Sequence, residues 1–186
     1  NLEWDWCVSR QRDFGVPIPA WYSKKTGETI LPGEDQLPVD PTTATPSTLP
    51  DDHTEEDIEP CTDVLDTWHT SSLTPQIALD WANDEKGFED DLPEQLRHQG
   101  HDIIRTWAFY TLVKSEYHHD QIPWEDVMIT GMVQDPNGEK MSKSKGNVIE
   151  PKKMIRKFNA DSLRFLAAGN SIGEDAPFKE KDMKTG

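Results

Sequence analysis

Cysteine is scarce in this chain of 186 residues: Cys7 and Cys61 are the only two. That is too few for a disulfide framework or an all-cysteine metal site, so a reducing, cytoplasmic setting is expected. Long apolar runs are missing as well. Nothing approaches the roughly 20 residues a membrane helix needs, and the first residues lack the basic-then-apolar pattern of a secretory leader. No membrane partner is expected. Positive charge is short overall, with 19 Lys and Arg against 35 Asp and Glu and a formal net charge of −16. A surface of that sign repels phosphate at a distance, which by itself argues against a nucleic-acid partner. The chain also begins with Asn rather than Met and ends in a lysine-rich segment, so it is expected to be a piece of a larger protein.

What is present offsets these shortages. Only 34% of the residues are hydrophobic, yet seven Trp and six Phe carry enough apolar area to argue for a folded chain. The length suits one domain, or one with a small appendage. Charge is unevenly distributed. No Lys or Arg occurs between Lys25 and Lys86, while fifteen acids fill Glu28 to Glu85. From Lys140 to Arg164 the sign reverses, with eight cations facing only Glu150 and Asp161. A cation cluster inside an anionic chain points to an anionic ligand, although a solvated basic helix has the same composition. The acid excess further suggests adaptation to high salt, where the Debye length shrinks to about 3 Å at 1 M.

Residues 4–9 alternate bulky and small side chains like a strand, and Pro17 and Pro19 then end any helix. Residues 23–62 hold six prolines, many Thr and Asp and little periodicity, which predicts an irregular, partly mobile insertion. Thr62 to Trp68 reads as a buried strand running into the polar turn Thr70–Ser72. Between Asp102 and Tyr117 the residues Ile103, Ile104, Trp107, Ala108, Thr111 and Leu112 recur at helical spacing, predicting a core-facing helix. Val127–Val133 reads as a second strand, followed by the turn Asp135–Gly138. Pro151 suits the first position of a basic helix to about Phe158, and 160–168 repeats the helical pattern. The tail beyond Gly169 is weakly structured by itself. Strands separated by helices predict an α/β fold with a parallel, doubly wound sheet.

One string carries chemistry. Glu139-Lys-Met-Ser-Lys-Ser-Lys-Gly-Asn147 places two lysines three apart, among serines and before a glycine, between a strand with its turn and a helix. Such a loop can close cationic heads and hydroxyl donors around a polyphosphate. In nucleotidyl transfer the departing pyrophosphate gains charge as its bond to the α-phosphorus breaks, so a lysine reaching it chiefly in the transition state speeds the step. Lysine suits a loop that must then let go. A bare K-x-x-K is more often a solvated turn, and the order of a P-loop is missing here.

The full string Lys140-Met-Ser-Lys-Ser144 resembles the second signature of the class I aminoacyl-tRNA synthetases. Residues 1–22, with Trp6-Cys-Val-Ser-Arg-Gln11 and Gly15-Val-Pro-Ile-Pro-Ala-Trp-Tyr22, resemble the return into the catalytic domain after the editing insertion in the valyl, isoleucyl and leucyl branches. Asp63-Val-Leu-Asp-Thr-Trp-His-Thr-Ser-Ser-Leu-Thr-Pro75 is similar to the valyl branch, particularly its archaeal form. The resemblance covers nearly the whole chain and implies the second half of a Rossmann-type catalytic domain. It divides the chain into an opening strand and turn at 1–22, an acidic insertion at 23–62, the catalytic half-domain at 63–168 and a linker toward an anticodon-binding domain at 169–186.

The resemblance also implies roles. Lys140, Ser142 and Lys143 would form the catalytic loop on the ATP phosphates, with Met141 and Ser144 beside them and Lys143 the strongest choice. Gly100 and Asp102, in Gly100-His-Asp102, would approach the ATP ribose, though Asp102 could equally be a plain helix N-cap. Gly131, Met132 and Val133 would lie against adenine. Trp68, Ile103 and Trp107 would line a pocket for valine; without the resemblance they read as ordinary core. The parent would be a monomer that activates L-valine with ATP and Mg²⁺ and transfers it to tRNA(Val), while the isolated piece would be inactive.

One departure is informative. Many relatives carry a zinc knuckle with paired C-x-x-C elements in the insertion, but here the matching positions read Ser23-Lys-Lys-Thr26 and Thr45-Pro-Ser-Thr48. Hydroxyls cannot supply the thiolate bonds of such a site, so no zinc or other metal is expected and the insertion should be poorly ordered. Two other readings stay open: an isoleucyl or other class I synthetase, against which Thr67-Trp-His-Thr-Ser71 speaks, and a non-enzymatic acidic interaction module using 26–85 as an anionic arm.

Overall fold

The computed structural model describes residues 5–185, so the alternating segment from Trp4 begins just outside the described residues. The chain divides into two compact units, 1–78 and 79–186.

In the first unit a short strand β1 (Ser9–Arg10) pairs antiparallel with β5 (Val64–Leu65). Between them, β2 (Trp21–Ser23) is the centre of an antiparallel sheet, flanked by β3 (Thr29–Ile30) and β4 (Ile58–Pro60). Trp21, Ile30 and Ile58 bury their side chains together, with Val39 and Leu49 packed against them. The insertion expected to be irregular and poorly ordered is therefore built on a sheet with its own small core. Its strands are two or three residues long, too short to register as periodicity. The proline-rich stretch is tied in by the Trp21 indole, whose N–H donates to the carbonyls of Pro41 (3.2 Å) and Ala44 (3.1 Å). Two short helices, α1 (Thr67–Ser71) and α2 (Thr74–Ala78), complete the unit. The expected strand through Trp68 stops at Leu65 because Asp66 caps α1, its carboxylate accepting the Trp68 N–H at 3.3 Å. Asp66 is buried and also receives the Trp6 indole N–H at 2.9 Å and the Arg10 guanidinium at 3.0 Å.

The second unit begins with α3 (Glu85–Asp91) and then β6 (Glu94–Gly100), which pairs in parallel with β7 (Trp124–Thr130). Helical turns from His101 lead into α4 (Tyr110–His119) and form the crossover between them. A parallel pair needs such a crossover, and this β–α–β arrangement is the α/β, Rossmann-type element expected. The predicted helix is present but irregular: a 3₁₀ turn at His101–Ile103 and a π-helical stretch at Ile104–Phe109 precede α4. Its buried face also differs, since Tyr110, Thr111 and Ser115 are enclosed while Ile104 and Leu112 are exposed. Wide π turns rotate the face away from the one that regular spacing implies.

Strand β6 escapes sequence reading because its inward side chains are polar. Arg97 and Gln99 are buried, and the Arg97 guanidinium lies 3.1 Å from the ring centroid of Trp107 and 4.8 Å from that of Trp124. Cation–π stacking replaces apolar packing there. Burial pulls the Arg97 pKa down to about 10, which leaves it charged at neutral pH. The remaining elements are β8 (Val133–Gln134), α5 (Pro151–Phe158), α6 (Ala160–Ala168), β9 (Ala176–Pro177) and α7 (Glu180–Met183). Helices α5 and α6 fall where the sequence predicts them. The tail is more ordered than expected: β9 pairs in parallel with β8, and Phe178 and Met183 are buried. His119, at the end of α4, packs edge-on against Phe88, ring centroids 4.7 Å apart. Among the described residues no helix is long and apolar enough to cross a membrane.

Candidate functional site

The lysine–serine string lies in the second unit, between β8 and α5. It is anchored by Asp135, the first residue of the turn after β8. This carboxylate is buried and accepts the backbone N–H groups of Asn137 and Glu139, each at 2.9 Å. Gly138 completes the turn at φ +80°, and its N–H donates to the Asp135 carbonyl at 2.9 Å. The Glu139 N–H bond and the Asn147 amide hold the Asp135 carboxyl below the ordinary carboxylate range. Asn147 closes the loop from the other end. Its Nδ2 donates to Asp135 Oδ2 at 3.1 Å and to the Lys140 carbonyl at 3.3 Å, while its Oδ1 accepts the Ser142 N–H at 2.9 Å.

Within the loop, Ser142 Oγ accepts the Lys145 N–H at 3.2 Å and lies 3.2 Å from Ser144 Oγ. The turn ends at Gly146, whose φ of +69° suits a residue without Cβ and whose N–H donates to the Lys143 carbonyl at 3.2 Å. Met141 points its thioether to the Ile149 N–H at 3.3 Å and helps line an apolar cavity with Val133, Met154, Leu166 and Phe178. Two of the three lysines are paired, Lys140 with Asp102 at 3.1 Å and Lys145 with Glu139 at 3.3 Å. Lys143 is exposed, and its ammonium has no partner among the described residues.

The Lys140–Asp102 pair brings two of the sequence-predicted residues together. Gly100 caps the 3₁₀ turn that carries Asp102, so Asp102 is not the N-cap and its carboxylate points to the loop. Its neighbour His101 bonds through Nε2 to Asp175 Oδ1 at 2.8 Å, and the same oxygen accepts the Met132 N–H at 2.8 Å. Gly131–Val133 thus lie beside the Gly100–Asp102 turn through Asp175. The Met132 carbonyl accepts the Ala176 N–H at 2.9 Å, so both backbone polar groups of Met132 are engaged by the tail. A Cβ on Gly131 would stand 1.9 Å from the Glu174 carbonyl oxygen, so glycine is required here for the approach of the tail. Ile103 and Trp107 follow on the 3₁₀ and π-helical turns, half-buried, with Arg97 over the Trp107 ring. Trp68 belongs to α1 of the first unit and is half-buried there.

Sequence reading passed over Asp135, Asn147, Asp175 and Arg97. Asp135 carried a signal, since an acid opening an Asp-x-x-Gly turn often accepts the N–H two residues on; Asn147 carried none. Among the described residues no group of three His, Cys, Asp or Glu could hold a metal ion.

The model of the class I tRNA synthetases (I, L, M and V) matches residues 2–179. A valine–tRNA ligase of Haloarcula marismortui is 50% identical over the whole chain, and one of Methanocaldococcus jannaschii 48% identical. The chain spans 21% of the length of each. Among solved structures, a leucyl-tRNA synthetase of Agrobacterium radiobacter K84 in a ternary complex with tRNA and LeuAMS superposes over 97% of this chain and 26% of its own, with TM-score 0.72 and 24% identity. A Mycobacterium tuberculosis methionyl-tRNA synthetase with methionyl-adenylate covers 68% of this chain and 25% of its own, with TM-score 0.57 and 24% identity. These likenesses bear out the α/β fold.

Proposed function

Since the chain belongs to the class I tRNA synthetases, we propose that it is the loop-bearing part of an enzyme that activates L-valine with ATP and passes it to tRNA(Val). The observation that carries this reading is Lys143: an exposed, unpaired ammonium on a loop whose flanking lysines are both paired. A cation held out in this way meets the pyrophosphate as charge develops on it, which accelerates the step more than it tightens binding. Lys140 and Ser142 contribute a second cation and a hydroxyl. Asp102 takes the ribose hydroxyls when nucleotide enters, in exchange for its bond to Lys140, and adenine lies along Gly131–Val133. ATP would come as its magnesium complex, in which the metal offsets phosphate charge and keeps several of its waters. Valine is preferred because of the identity to valine–tRNA ligases.

The cytoplasm is the expected setting, given two free thiols, and high salt the expected solvent, given the charge of −16. The test is ATP–pyrophosphate exchange by the full-length protein containing this chain, with each amino acid in turn. Valine-dependent exchange that falls sharply in Lys143→Ala is expected; exchange led by isoleucine, or undiminished in the variant, overturns the assignment.

A further inference from the structure

We propose that Asp135 and Asn147 are the positioning residues that set the catalytic loop, acting through it on Lys143. This rests on the reading of the loop given above. The Lys143 ammonium has no partner among the described residues; its placement is inherited from Ser142 before it and from Gly146 after it, whose N–H binds the Lys143 carbonyl at 3.2 Å. The Ser142 N–H is bound by Asn147 Oδ1 at 2.9 Å, and the Lys140 carbonyl by Asn147 Nδ2 at 3.3 Å. One amide thus grips the backbone on both sides of Met141. The same Nδ2 is fixed by Asp135 Oδ2 at 3.1 Å, and Asp135 is 5% exposed and bound to two turn N–H groups besides. The loop from Lys140 to Asn147 is therefore tied as one piece to a carboxylate buried at its base. A group fixed to better than an ångström is worth far more in the transition state than one that wanders, whereas substrate affinity gains little.

The hydrogen-bond pattern is directional, and that makes it testable by exchange. Asp135→Asn turns an amide N–H₂ toward the Asn147 N–H₂, two donors facing; Asn147→Asp sets two carboxylates face to face. Made together, the changes restore a donor at 135 and an acceptor at 147. The new carboxylate still receives the Ser142 N–H, but its second oxygen now faces the Lys140 carbonyl, an acceptor against an acceptor where the amide had donated.

The experiment measures pyrophosphate exchange and trypsin cleavage at the loop lysines in the full-length protein. Each single variant is expected to lose about 10- to 100-fold in kcat, with KM for the amino acid unchanged and faster cleavage after Lys140 to Lys145. The double exchange is expected to recover kcat well above either single variant, though not to wild type, and to slow the cleavage again. Single variants with full kcat, or a double exchange as impaired as either one, overturn the proposal. A wild-type protein without exchange for any amino acid overturns the functional reading instead, and the cleavage pattern then still decides the clamp.

Discussion

Two regions of this molecule are proline- and glycine-punctuated, polar and short of regular structure, yet they are held in opposite ways. Residues 20–61 are organised from within by apolar side chains, Trp21, Ile30 and Ile58, and by an indole that bonds two carbonyls. Residues 135–149 have little enclosed apolar content of their own and are organised by one buried carboxylate and one amide, with Met141 resting on a cavity of later elements. The first arrangement holds a surface still. The second fixes the ends of a loop while leaving Lys143 exposed, which suits a group that must engage and release a ligand. The comparison predicts that substitutions in the first region act on stability and those in the second on catalysis.

The largest effect is expected at Trp21, which is 1% exposed at the centre of its sheet. Trp21→Ala should lower the stability of its unit by about 3–5 kcal/mol, read as a fall in the urea midpoint. An unchanged midpoint would mean that the lobe is not organised by its core. Next comes Lys143→Ala, which should cost about 10²–10³ in kcat. Its unfolding transition should match wild type because the side chain encloses nothing.

The two regions were also legible to different degrees. The basic string, the Asp135–Gly138 turn, α5 and α6 could be read directly, because prolines, glycines and helical spacing mark their ends. Residues 20–61 could not, since strands of two or three residues have no measurable period and their order comes from contacts between distant positions, as between Trp21 and Ala44. Strand β6 was hidden for another reason: Arg97 and Gln99 occupy its inward positions, where alternation rules look for apolar side chains. Within the site, the signature residues were legible, whereas Asn147 was not. Its role depends on three partners, at 135, 140 and 142, that only the folded loop brings to one amide.

Gly131→Ala falls in the middle of the range. The added methyl would meet the Glu174 backbone, so the tail must shift, at a cost of about 1–3 kcal/mol. Unfolding should be cooperative and merely earlier. Acid weakens the same contact. The Met132 N–H, foremost, and the His101 bond hold the Asp175 carboxyl below its ordinary range. A depressed folded value means that the contribution is complete above the unfolded pKa, about 4, and is lost as pH falls through the folded one. Asp175→Asn should therefore lower stability at neutral pH and flatten the acid limb of the stability–pH curve; a parallel curve would remove Asp175 from that role.

The smallest expected effect concerns metal. In the first region Ser23 stands at a position that the resemblance pairs with a knuckle cysteine, and its hydroxyl is already committed. Ser23 Oγ accepts the N–H groups of Lys25 (3.1 Å) and Thr26 (2.9 Å) and lies 2.7 Å from His53 Nε2. Lys25 and Asp57 add an ion pair at 2.8 Å across the same turn. Hydrogen bonds thus span the site that thiolates and zinc would otherwise cross-link, and they also use the imidazole nitrogen that could have been a ligand. A strong chelator should accordingly leave the melting temperature unchanged, and elemental analysis should find no stoichiometric zinc. Ser23→Ala, by contrast, should lower stability by about 1 kcal/mol, because it removes the buried acceptor of two backbone donors in an exposed turn. A chelator that melts the protein as Ser23→Ala does would place a metal in this lobe and end the contrast between a region held by its own apolar core and one held by a buried carboxylate and an amide.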